Sequence, residues 1–307
     1  IALKNADLLV KTFGPNPGQR RGFPGHQEVE IGLAKLYRVT GNRAYLDLAK
    51  FFLDERGHYH QGPYHAKGDP FAVYDSEEYM QNHKPVLEQD EAVGHAVRAM
   101  YMYSGMADVA ALGGYPEFVN AIDRLWSNVV GKKMYITGGV GARHTIEGFG
   151  DAYELPNAEA YTETCAAIGN ALWNQRLFLL HGDAKSIDVF ERVLYNGLLS
   201  GVSLSGDRFF YQNPLESAGK YVRSPWFEVA CCPPNMTRFL PSLPGYVYAT
   251  KDDTIFVNLF VAGTGRIGLA GQTISLTQAT RYPWDGTVRI SVEPEQAGEF
   301  EVAVRIP

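Results

Sequence analysis

Three helical hairpins recur along the first two thirds of this 307-residue chain at a spacing close to 70 residues, and that recurrence restricts the fold more than any other feature. The first spans His26 to Gly57. In it Ile31, Leu33, Ala34, Leu36 and Tyr37 form an apolar face, Thr40-Gly41-Asn42 turns the chain, and Tyr45, Leu46, Ala49, Phe52 and Leu53 continue at helical spacing. The second runs from about Val86 to Val130, with Pro116 at a favoured first-turn position of its second helix. The third runs from about Ala158 to Leu199 and turns at Gly182-Asp183. Reactive side chains sit at matching places in the three: His26 to His95 is 69 positions and His95 to Cys165 is 70. Hairpins stacked about an axis aim such side chains into one shared cavity, and three pairs make half of a closed six-pair α/α toroid. The alternative is a plain helical array with two ordinary core histidines.

After Leu199 the pattern changes. GDRFFYQNPLES reads as containing a short strand and NMTRFLPSLPGYVYA as a last helix. TIFVNLFVA, TISLTQAT, TVRISVEP and EFEVAVRI then alternate between turn clusters, as strands of an antiparallel sheet or sandwich do. The expected fold class is therefore mainly α followed by β, a partial (α/α)6 toroid over residues 1–250 and the start of a β-sandwich over 251–307. The chain opens mid-helix without an initiator Met and stops just after a strand, so a fragment is expected and targeting signals cannot be read. A half-toroid would leave a wide apolar wall, for which a homodimer or the remainder of the same chain is the expected cover.

Composition excludes several classes of partner. The net charge is −6 with no basic run, which argues against nucleic acid. No apolar stretch approaches the ~18 residues of a membrane span. Three cysteines do not make a disulfide framework and suit a reducing compartment, so a cytoplasmic location is expected.

Those cysteines are placed suggestively. Cys231 and Cys232 lie side by side in WFEVACCPPNMTR, stiffened by Pro233 and Pro234, and Cys165 lies in YTETC two residues after Glu163. Three thiolates and a carboxylate complete a zinc tetrahedron. Glu163, Cys165, Cys231 and Cys232 are thus a candidate zinc set, against a strained vicinal disulfide or three unrelated packed thiols.

The loops carry weaker signals. His58, His60 and His65 have no fixed spacing and read as surface or groove residues rather than ligands. TGGVGAR lacks the G-K-[ST] ending of a phosphate cradle. The long loop from Tyr135 to Asn157 is expected to line a site. Within it Glu147 stands between Ile146 and Gly148-Phe149-Gly150, where an apolar setting would raise a carboxyl pKa towards proton donation; a solvated loop glutamate is the competing reading.

GHQEVEIGLAKLYRVTG, KPVLEQDEAVGHAVRAMY, EGFGDAYELPN, AYTETCAAIGN, LYNGLLSG, FFYQNP and WFEVACCPPNMTR occur in that order. Together they resemble glycoside hydrolase family 127, the β-L-arabinofuranosidases, over nearly the whole chain. The family's members are about twice this length, with an α/α toroid followed by β-sandwich domains. The resemblance implies Zn2+ held by Glu163, Cys165, Cys231 and Cys232, with Cys231 as nucleophile and Glu147 as acid/base. It also implies that His26, His95 and Tyr211 hold the sugar, Tyr211 the least securely matched. The activity implied is release of β-L-arabinofuranose from hydroxyproline-linked or plant cell-wall arabinofuranosides with retained configuration. Retention places the two reacting groups about 5–5.5 Å apart. Trp226 or Phe149 is the expected wall for the exocyclic hydroxymethyl group.

Two other classes stay open on the residues alone. One is a carbohydrate-binding or scaffold protein whose metal is purely structural, as closed four-ligand zinc sites usually are. The other is a sugar epimerase or isomerase using His26 and His95, because fold does not fix function.

Overall fold

The computed structural model describes residues 1–59, 62 and 65–307; His60 lies outside the described residues. Helix α1 spans Ala2–Thr12. The first hairpin pairs α2 (Val29–Thr40) with α3 (Arg43–Glu55), the second α4 (Ala96–Gly113) with α5 (Pro116–Asn128), and the third α6 (Thr164–His181) with α7 (Ala184–Arg192). All three first helices stop the same way: Gly41, Gly114 and Gly182 take left-handed conformations at φ 71, 72 and 70°, the backbone that glycine adopts without steric cost.

Helices α2, α4 and α6 pack side by side. Thirteen of the 18 residues are buried in each of α4 and α6, so these two are core helices with no solvent face. Their partners are one-sided. In α5 the buried positions Phe118, Ala121, Ile122 and Leu125 fall at i, i+3, i+4 and i+7. The α4–α6 contact is close because Gly169 presents no side chain: a Cβ there would sit 2.7 Å from the Cβ of Met100.

Two helices begin later than their sequence patterns suggest. In the second hairpin, residues 86–88 form a single 3-10 turn and the α-helix starts only at Ala96, with His95 as its N-cap. In the third, the helix starts at Thr164 rather than near Ala158, after an extended segment fixed by side chains. There Asn213 Nδ2 donates to Thr162 O and Thr164 Oγ1, each at 3.0 Å, and holds Thr162 at φ 36°. The expected strand in GDRFFYQNPLES is only a pair of isolated bridges, Phe209 with Val202 and with Ser224. The expected last helix starts earlier, as α8 (Cys232–Phe239), and continues through a 3-10 turn into the short α9 (Pro244–Val247).

The C-terminal region has six strands: β1 (Tyr248–Lys251), β2 (Thr254–Val257), β3 (Gly263–Leu269), β4 (Gln272–Thr280), β5 (Val288–Pro294) and β6 (Glu301–Val304). Strands β3-β4-β5 form an antiparallel sheet and β1-β2-β6 a second, mixed sheet. The expectation of purely antiparallel pairing needs correction, because β2 pairs with β6 in parallel after the β3–β5 meander has intervened. β1 and the glycine-bearing β3 carry too few apolar residues to be read as strands. β1 straddles the expected 250/251 boundary, because Val247 and Tyr248 still pack on the helical core. Ile255 and Val257 of one sheet share a core with Leu269, Ile274 and Leu276 of the other. The buried Arg305 ties this region to α7, donating to Asp188 Oδ1 and Glu191 Oε2, both at 2.6 Å. Among the described residues no helix is long and apolar enough to cross a membrane.

Candidate metal and active site

The N-terminal ends of four helices meet at one cavity of about 470 Å³. His26 stands just ahead of α2, His95 caps α4, Cys165 lies in the first turn of α6 and Cys231 caps α8; all four line this space with Glu147, Glu163 and Tyr211. The 70-residue recurrence thus places equivalent hairpin entrances around a shared hollow. Helix N-termini also present partial positive charge, which favours an anion such as a thiolate.

The three sulfurs and one carboxylate gather at its wall. Cys165 Sγ is 3.5 Å from Cys232 Sγ, and Cys232 Sγ is 3.7 Å from Cys231 Sγ. Glu163 Oε1 is 3.2 Å from Cys231 Sγ and 3.5 Å from Cys232 Sγ. All the cysteines are free, so the vicinal-disulfide alternative falls away. The four ligand atoms lie within 4.8 Å of one another. A tetrahedron with zinc–sulfur bonds of ~2.3 Å has sulfurs about 3.8 Å apart, so this spacing fits a single ion. Glu163 Oε2, moreover, is buried with no hydrogen-bond partner. Burial and the Cys231 sulfur push the Glu163 carboxyl well above its usual range, and burial drives the Cys232 thiol up as well. So much buried acid is stable in its charged form only beside a cation. The donor set therefore suits a metal ion.

Cys231 differs from its neighbours. It is only partly buried, and hydrogen bonds from Cys165 and Cys232 hold its thiol far below the ordinary value. Its sulfur is also 3.1 Å from the Tyr211 hydroxyl. Tyr211 is positioned through its backbone, whose carbonyl accepts from Thr164 N at 2.9 Å beside Glu163.

Glu147 enters the same cavity from the long loop. Phe149 N donates to Gly94 O at 2.9 Å, and Ala96 N to Glu147 O at 3.1 Å, so the loop is laced to the start of α4. The approach needs glycine at Gly148, where a Cβ would lie 2.1 Å from Gly94 O. Glu147 itself takes φ 49°, a strained left-handed backbone of the kind found at functional sites. Its Oε1 accepts from the Tyr161 hydroxyl at 2.7 Å, and its Oε2 lies 3.0 Å from His95 Nε2. The expectation of a raised pKa is therefore corrected: the His95 hydrogen bond outweighs burial and holds this carboxyl below its usual range.

His26 and His95 pack edge to face with centroids 6.2 Å apart. Burial keeps both neutral, lowering His26 to about 4. Trp226 is 61% exposed, Phe149 is buried, and neither lines the cavity. His58 is exposed, and His65 lines a neighbouring groove. Sequence reasoning missed Tyr161, Tyr79 and Arg98, which help to build the site. Tyr161 was detectable in principle, since it stands two residues ahead of Glu163 in YTETC.

A helical region followed by a small β region is an architecture shared with known proteins. Residues 1–245 match the β-L-arabinofuranosidase GH127 catalytic domain and residues 254–307 its middle domain. The chain belongs to glycoside hydrolase family 127. It is 36% identical over 333 aligned positions to a non-reducing end β-L-arabinofuranosidase of Bifidobacterium longum subsp. longum, covering all of this chain and 50% of that protein. A solved GH127 β-arabinofuranosidase is 55% identical with a TM-score of 0.91, over 99% of this chain and 46% of that one. A GH127 β-L-arabinofuranosidase from Geobacillus stearothermophilus T6 is 45% identical with a TM-score of 0.91, over 99% and 51%. The chain spans about half the length of these relatives.

Proposed function

We propose that this chain carries the catalytic centre of a retaining β-L-arabinofuranosidase, built on part of an α/α toroid that leads into a β-sandwich. The observation that supports it best is that a partly buried thiol at Cys231 and a doubly hydrogen-bonded carboxyl at Glu147 line one sugar-sized cavity.

Glu163, Cys165, Cys231 and Cys232 would hold Zn2+. When bound, the ion keeps its sulfur ligands deprotonated at neutral pH. The Cys231 sulfur attacks the anomeric carbon, and the bond from that carbon to the leaving oxygen breaks. Glu147 gives its proton to that oxygen. A sugar entering the cavity displaces water and leaves the carboxyl beside a negative sulfur; both effects favour the protonated form needed for this step. The ionised Glu147 then takes a proton from water, whose oxygen displaces the sulfur and restores the starting configuration. A separation of about 5–5.5 Å between the two groups would suit this double displacement. His26 and Tyr211 orient ring hydroxyls, the neutral His26 as donor and acceptor, while His95, with one nitrogen on Glu147 and the other on Arg98 N, borders the sugar with its ring and positions the carboxyl.

The experiment is hydrolysis of an aryl β-L-arabinofuranoside by the full-length protein, with the anomeric product followed by NMR. Loss of activity in both Glu147→Gln and Cys231→Ala is expected, by about 100-fold or more, with retained configuration in the parent. A purely structural metal predicts full activity in Glu147→Gln. An epimerase predicts an isomerised sugar and tolerance of Cys231→Ser. Against that chemistry, both ring nitrogens of His95 are engaged, by Glu147 and by Arg98 N.

A further inference from the structure

Beside the cavity of Cys231 and Glu147 lies a second, of about 320 Å³, lined in part by Phe23, His65, Tyr74, Asp75, Tyr79 and Arg98. Tyr79 and Arg98 line both spaces, so the two share a wall. Rings run from the surface along this wall to the catalytic carboxyl. Phe71, 58% exposed, stacks on Tyr74 at 6.1 Å; Tyr74 meets Tyr79 at 5.0 Å; and Tyr79 meets the edge of His95 at 5.2 Å. The Arg98 guanidinium sits 4.9 Å from the Tyr79 ring centre and braces it.

Polar groups of a defined kind face the same space. His65 N donates to Asp75 Oδ2 at 2.8 Å, and His65 Nδ1 lies 2.9 Å from Asp75 Oδ1. With Nδ1 taken up by the Asp75 carboxylate, the other ring nitrogen, Nε2, remains for a further hydrogen bond. An aromatic wall with a few fixed polar groups suits an amphipathic, hydroxyl-rich ring.

We propose that this second cavity is a leaving-group subsite, which takes the sugar residue joined to the arabinofuranose being released. The proposal rests on the hydrolase reading above. Its direction follows from the site: the leaving oxygen must approach Glu147, whose Oε2 is held by His95, and the Tyr79 ring packs at right angles against His95 at 5.2 Å. A group beyond that oxygen is therefore led towards Tyr79 and Tyr74, away from the attacking sulfur.

The test is calorimetric binding of L-arabinose and of an arabinofuranosyl disaccharide to full-length protein carrying Glu147→Gln, so that nothing turns over. The disaccharide is expected to bind at least about 10-fold more tightly. Adding Tyr74→Ala or, separately, His65→Ala is expected to reduce that ratio several-fold, with melting temperatures confirming that both fold. A ratio near one in the parent, or one that neither substitution changes, overturns the subsite. Failure of the hydrolase reading shows elsewhere, as wild-type protein that leaves the aryl arabinofuranoside intact, and binding ratios do not enter that measurement.

Discussion

His95 Nε2 and Glu147 Oε2 stand 3.0 Å apart, and the other nitrogen of that ring accepts from Arg98 N at 3.2 Å. An Nδ1 that accepts must be unprotonated, so the neutral ring carries its hydrogen on Nε2 and donates it to Glu147. One side chain thus caps α4 and orients the loop carboxyl, with Tyr161 gripping the other oxygen.

The first prediction concerns pH. In the proposed mechanism Glu147 must be protonated for the first step, so kcat/KM declines as pH rises through its pKa. The hydrogen bonds from His95 and Tyr161 hold that pKa down. Removing either donor, in His95→Phe or Tyr161→Phe, is expected to move the alkaline limb to higher pH while lowering the maximal rate. A pH–rate profile checks this; an unmoved limb in both variants would contradict it.

A second prediction concerns the metal. The folded full-length protein is expected to hold about one zinc per chain, and Cys165→Ser or Cys232→Ser to lose most of it. Each loss strands buried acid, so chelation is expected to lower Tm by several degrees. Metal analysis and calorimetry on the same samples decide the matter. Full zinc occupancy in both variants would remove these cysteines from the site.

Glu30 gives a third, independent of catalysis. It is fully buried in α2, neither carboxyl oxygen has a hydrogen-bond partner, and burial raises its pKa to about 7. The native state then keeps a proton that the unfolded chain has released, so stability falls as pH rises from the ordinary carboxyl range to about 7. Glu30→Gln should lack this loss, gaining on the parent by roughly 2–3 kcal/mol between about pH 5 and pH 8. Urea unfolding at both pH values measures it. Parallel pH profiles for parent and variant would contradict a protonated Glu30.

The fourth tests the core. Gly169→Ala places a methyl 2.7 Å from Met100 Cβ at the α4–α6 contact, and overpacking of this kind costs about 1–3 kcal/mol. Met100→Gly in the same background removes that Cβ and should recover part of the cost, which a double-mutant cycle would read as coupling. Strict additivity would show that the helices can move apart freely.

Much of this molecule was legible in its residues because the information was local and periodic. Apolar spacing marked the three hairpins, Gly41 and Gly182 marked the turns of the first and third and Pro116 the start of the second's partner helix, and the chemical rarity of three cysteines beside a glutamate marked the candidate metal set. The positions from Val86 to His95 deceived because Val86, Gln89 and Ala92 are buried at a three-residue spacing that mimics one face of a helix, although only residues 86–88 form a 3-10 turn. The parallel pairing of β2 with β6 was invisible, since register between residues 47 positions apart leaves no local trace.

Sequence alone determined which elements form and which chemical groups recur at their entrances, through side-chain size, polarity and spacing. Tertiary structure decided the working state of those groups. Cys231 is acidic because two other sulfurs lie against it, and Glu147 is held down because His95 and Tyr161 reach it from other elements. Ionisation depends on distance and burial in three dimensions, and the order of residues along the chain encodes neither.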